Sequence, residues 1–207
     1  MLLGWACLLL SLFAVCDALS SREENSRLSE WWILAGLPLI YLGFNIIFTS
    51  LLLASGFRAL RFTSTAMEPT MSPGDKFIYD VNYYRGQQGR RGELVVMRLE
   101  DALTVKRIAA TNGDAIRGKD RRISVNGEVQ SEPFIQHTLP IGSNPQLDTF
   151  GPIIVPAGEF FVLGDNRDIS RDSRSPDFGP VGRQSIVGKP LYIYRLPWEA
   201  QHWEKLR

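Results

Sequence analysis

Two uncharged runs open the chain, and shorter apolar runs broken by turn signals take over behind them. From Trp31 to Phe57 the residues WWILAGLPLIYLGFNIIFTSLLLASGF carry no charge, which exceeds the roughly 20 residues a helix needs to cross a hydrocarbon core. The run predicts a transmembrane helix over 31–57. Trp31 and Trp32 suit one interface as amphipathic anchors, and Arg58 and Arg61 suit the other. Pro38 and Asn45 within it are residues that membrane helices tolerate. The shorter run Leu2 to Val15 lacks the basic start of a signal peptide, so it predicts a first membrane helix over 1–19, joined to the second by a polar loop over 20–30. Arg22 and Arg27 on that loop face Arg58, Arg61 and Lys76 beyond the second helix, so charge bias leaves the orientation open.

Residues 58–207 change texture. Short runs with period-two or continuous apolar character predict strands at 76–81, 94–98, 103–110, 123–125, 128–130, 153–155, 160–163 and 190–194. Turn signals separate them, of which Asn126-Gly127, between Ile-Ser-Val and Glu-Val, is the strongest hairpin mark. No long helical period follows residue 60. The pattern predicts a mainly β domain, a coiled antiparallel sheet or barrel, behind the two N-terminal helices.

Composition adjusts this picture at three points. Twenty-three basic against 22 acidic residues leave a net charge of +1, which removes the general attraction of a nucleic-acid binder. Cys7 and Cys16 both lie in the first apolar run, so the β domain has no cysteine for a disulfide framework or thiolate metal cluster. Its histidines are His137 and His202 alone, which offers no His-rich metal site. No cofactor is expected, and oligomeric state is left open.

Three stretches are richer in reactive side chains than a β scaffold requires: Ser64-Thr-Ala-Met-Glu-Pro-Thr70, Leu103-Thr-Val-Lys-Arg-Ile-Ala-Ala110 and Gly164-Asp-Asn-Arg-Asp-Ile-Ser-Arg-Asp-Ser-Arg174. Lys106 admits two readings. On a solvent-facing edge strand it is an ordinary surface lysine, whereas inside an apolar strand desolvation lowers its pKa and makes it a usable base. The last stretch alternates acids with Arg167, Arg171 and Arg174. That pattern predicts a self-satisfying ion network, since the arginines compete with any metal cation for the carboxylates.

In this order, behind a membrane anchor, the three stretches resemble the type I signal peptidases of bacteria, serine–lysine endopeptidases of the inner membrane. The resemblance covers nearly the whole chain, and its most specific part is the run from Gly164 to Arg174. It implies an extracytoplasmic catalytic domain, substrates that are translocated preproteins with small residues before the cut, and contact with membrane lipid. It implies further that Lys106 is the general base, that Ser64 helps form the oxyanion hole, and that Ser170 orients the lysine. Asp172 and Arg174 match the supporting ion pair, and Met67 and Pro69 match the segment after the nucleophile.

One position departs. Where the family has its nucleophilic serine, this chain has Ala66, and a methyl group attacks no carbonyl. A strand-like backbone turns Thr65 to the opposite side and puts Ser64 a repeat of roughly 6.6 Å away, so neither replaces it. The chain as given is therefore expected to be inert. Either the serine was replaced to trap an inactive form, which the intact surroundings favour, or this is a natural paralogue that binds or regulates without cutting. The proximity of residues 67–71 to the anchor also predicts that they belong to a membrane-adjacent apolar surface.

Overall fold

The computed structural model describes residues 27–194 and 203–206. The helix expected over 1–19 and most of the loop expected over 20–30 lie outside the described residues, as do Cys7, Cys16 and His202. The chain divides between Ser55 and Gly56 into two compact units.

The first unit contains helix α1 (Arg27–Ala54). Pro38 lies inside it, and the Asn45 amide donates to the Tyr41 carbonyl one turn back at 2.8 Å, so the polar side chain is satisfied locally. Leu39, Ile40, Phe44, Ile47, Phe48 and Leu51 are all exposed. Among the described residues no helix is long and apolar enough to cross a membrane. The helix also stops short of Phe57, where the apolar run led us to expect its end. Gly56 takes φ +81° and packs so closely on Asn82 that a Cβ there would lie 2.1 Å from the amide nitrogen. The backbone therefore leaves the helix, and Phe57 opens a strand.

The named strands of the second unit all pair antiparallel. One sheet comprises β1 (Phe57–Arg61), β2 (Lys76–Asp80), β3 (Leu94–Leu99), β4 (Ala102–Thr111), β9 (Glu159–Leu163), β10 (Val181–Gly182), β11 (Ile186–Tyr194) and β12 (Trp203–Lys205). Its order is β1-β2-β11-β3-β4-β9-β10, with β12 beside β11. The smaller sheet is β7-β6-β5-β8, from β5 (Ala115–Lys119), β6 (Arg122–Val125), β7 (Glu128–Val129) and β8 (Phe150–Ile154). The expected Asn-Gly hairpin joins β6 to β7, with Asn126 and Gly127 both at positive φ, as a type I′ turn requires. A single-turn helix, α2 (Pro145–Asp148), is the only α-helix among the described residues after β1.

Strands β3 and β4 are the middle of the fold. Leu94 and Val96 pack into one apolar cluster with Met67, Met71, Phe77 and Val105, while Val95 and Met97 pack on the opposite face with Ile108 and Val162. Alternate residues of β3 are thus buried on both sides. Met67 and Met71 are fully buried in the first cluster, which corrects the expectation that 67–71 forms an exposed apolar surface. Their thioethers fill core space instead.

Candidate active site

The three reactive stretches meet in the second unit, and backbone geometry brings them there. Lys106 lies on β4, which β3 and β9 flank, so it is on no edge. It stands opposite Val95 in the register and is only 3% exposed. The surface reading of this lysine is therefore excluded. Its Nζ donates to Ser170 Oγ at 2.7 Å, and burial lowers its pKa to about 8 against the opposing pull of the Asp172 carboxylate. Arg174 lowers it further, while Asp165 raises it.

Ser170 is held by the loop after β9. Asp172, fully buried, accepts from Arg174 Nε and Nη2, both at 2.9 Å, and from the Gly164 amide at 3.0 Å. These bonds keep its carboxyl below the usual range despite its burial. The expected ion pair is present, but the loop does not satisfy itself as its alternating charges suggested. Asp165 reaches Arg107, Arg167 reaches Glu132, Asp168 reaches His137, and the exposed Arg171 reaches Asp177. The loop's charges are spent mostly on other segments, which clamps it to them.

The stretch around Ala66 is a turn, not the strand assumed from the sequence. The Glu68 amide donates to the Thr65 carbonyl and the Met71 amide to the Met67 carbonyl, closing successive turns. Ser64 Oγ accepts a hydrogen bond from the Ala66 amide at 3.1 Å. Ala66 is 8% exposed, and its carbonyl accepts from the Asn166 amide at 3.1 Å. Met67 is buried, while Pro69 is exposed at the rim of the turn. Gly164 explains how this turn and the lysine loop come so close. A Cβ on it would sit 2.2 Å from Ser170 Oγ and 2.5 Å from the Ala66 carbonyl oxygen. The lysine's hydroxyl partner and the backbone of residue 66 face one another across a bare Cα.

A second junction fastens the same three stretches and was not anticipated. Asp165, fully buried, accepts from Arg107 Nε at 2.9 Å and Nη2 at 2.6 Å, and from the Thr70 hydroxyl at 2.5 Å. The Arg107 guanidinium also lies over the Phe134 ring, 3.9 Å from its centroid. The available signal was that each stretch carries one member of the set, with charges of opposite sign on two of them.

Beside the turn is a cavity of about 300 Å³, lined by Leu60, Phe62, Ser64, Phe77, Val96 and Val105 among others. Its lining takes Ser64 from the first stretch and Leu103, Thr104 and Val105 from the second. Among the described residues no group of three His, Cys, Asp or Glu side chains is arranged to hold a metal ion.

Residues 32–195 match the family described as signal peptidase, peptidase S26. The chain belongs to the signal peptidase family. Signal peptidase I of Bacillus licheniformis is 30% identical over 182 residues, covering 84% of this chain and 92% of that protein. Signal peptidase I of Leptolyngbya laminosa is 32% identical over 164 residues, 72% of this chain and 76% of its own. Thylakoidal processing peptidase 1 of Arabidopsis thaliana is 28% identical over 201 residues, 88% of this chain and 52% of that one. Family membership and the antiparallel β architecture are thus in place, with alanine at position 66 in the middle of the site.

Proposed function

We propose that this chain binds the signal-peptide end of a translocated preprotein as a signal peptidase I does, and that in this form it holds the peptide without cutting it. The observation that carries the reading is a buried lysine of lowered pKa, bonded to Ser170 beside a residue 66 that has only a methyl group. With a serine there, neutral Lys106 takes the hydroxyl proton as the oxygen attacks the peptide carbonyl, and later activates the water that releases the acyl group. Ser170 orients the lysine, and Asp172 with Arg174 holds Ser170's loop. Ser64 and the amide of residue 66, which bond each other, turn to the developing oxyanion. Met67 and Pro69 set the turn. The peptide lies extended, with small residues before the cut in the apolar cavity.

The test is binding without turnover. A fluorescent peptide containing Ala-x-Ala is expected to bind the full chain in detergent micelles and to be recovered intact, while a peptide with bulky residues at both alanines binds at least tenfold more weakly. Equal binding of both would reject the signal-peptide reading.

We further propose that the apolar run 31–57 anchors the chain in the bacterial cytoplasmic membrane, paired with 1–19, and that the β domain lies on the extracytoplasmic side. Support comes from the uncharged run, the exposed apolar side chains of α1 and substrates that have crossed the membrane. Protease added to inverted vesicles is expected to spare everything beyond Arg58. Digestion of that domain from the cytoplasmic face would show the orientation to be the reverse.

A further inference from the structure

We propose that Glu68 selects a basic residue immediately after the cleavage position of the bound peptide, an inference that rests on signal-peptide binding at this site. The carboxylates around the site are otherwise matched to cations. Asp165 pairs with Arg107, Asp172 with Arg174, Glu132 with Arg167, and Asp168 with His137 and, at longer range, Arg121. Glu68 is half-buried two residues from Ala66, and no Lys, Arg or His among the described residues forms an ion pair with it. Among the described residues its side-chain partner is the neutral carboxamide of Gln136, whose Nε2 donates to Oε2 at 3.4 Å. Gln136 is itself fixed, because its amide donates to the Asp165 carbonyl and its carbonyl accepts from the Arg167 amide.

Direction follows from the cavity. Residues 60–64 line it on the near side of residue 66, whereas Glu68 bonds to Gln136, which the backbone of Asp165 and Arg167 holds, and neither Glu68 nor Gln136 lines the cavity. A peptide whose small residues fill the cavity and whose scissile carbonyl sits at residue 66 carries its next one or two residues towards Glu68. A half-buried carboxylate without a cation at that point favours a Lys or Arg side chain arriving with the substrate and disfavours Asp or Glu. The cations flanking Gln136 are already engaged, His137 by Asp168 and Arg167 by Glu132.

The experiment uses the full chain in nonionic detergent and three labelled peptides, identical through Ala-x-Ala and followed by two lysines, two glutamines or two glutamates. The lysine peptide is expected to bind about fivefold tighter than the glutamine one and the glutamate peptide weakest, with the spread shrinking in high salt. Glu68→Gln should collapse the lysine-to-glutamate ratio towards one, and Glu68→Lys should invert it. Equal binding of all three peptides, or a lysine preference that survives Glu68→Gln, overturns the role of Glu68 while leaving signal-peptide binding intact. Failure of every peptide to bind overturns both.

Discussion

Ala66→Ser is expected to yield a peptidase whose rate climbs with pH towards a plateau above about 8. The alkaline limb follows from Lys106. With its pKa lowered to about 8 by burial, roughly one molecule in ten carries the neutral base at pH 7, whereas an ordinary lysine would be neutral in fewer than one in a thousand. Below the lysine's pKa the base is an ammonium, so kcat/KM should fall about tenfold per pH unit. Adding Lys106→Met to the serine variant should abolish activity, since the hydroxyl then has no base. Adding Ser64→Ala should leave activity but reduce kcat roughly 10²–10³-fold, the usual effect of losing one oxyanion donor. Preprotein cleavage by the unaltered chain at the rate of the serine variant would refute the assignment of position 66. A serine variant that folds, binds and stays inert would favour a natural paralogue that has drifted beyond that one residue.

The second large effect concerns stability. Asp165→Ala should destabilise the β domain by about 3–5 kcal/mol, because it removes the carboxylate that faces the buried Arg107 guanidinium. Both side chains are buried, Asp165 completely and Arg107 to within 6%, so solvent screening offers little relief. Against a total stability of about 5–15 kcal/mol for a domain, this is enough to unfold a marginal protein. Replacing both partners, Asp165→Leu with Arg107→Met, should recover much of the loss, although Thr70 then lacks its acceptor. Urea titration of the variants with α1 present would measure this. A cost below about 1 kcal/mol for Asp165→Ala would mean that the junction is not what holds the three stretches together.

Most of the β architecture was legible because half-buried strands alternate and their turns carry Gly, Pro and Asn. The omissions have particular causes. Strand β5 contains Gly118, which reads as a breaker, yet its bare Cα seats the Phe150 ring. Strand β11 was expected to begin at Pro190. It begins at Ile186 and runs through the proline, where its pairing with β2 shifts register. Strand β1 was hidden because an apolar run shows no internal mark where a helix gives way to a strand, apart from Gly56. The burial of Lys106 was not decidable from its own segment, since strand position in a sheet depends on partners distant in sequence. The turn at 65–70 was marked by Pro69, but its effect on Ser64 emerges only from the hydrogen bonds that wind it.

The hydrogen bonds between the three stretches determine when the site comes into being. Thr70 and Asp165 are 95 residues apart in the chain, Lys106 and Ser170 are 64 apart, and Arg107 and Asp165 are 58 apart. Contacts of such separation cost loop-closure entropy before they repay it, and they set the pace of folding in β proteins. A nascent chain stalled before they close has its lysine in water, protonated and useless as a base, and no shaped cavity beside it. The buried lysine and its bond to Ser170 therefore come into being only when folding is complete.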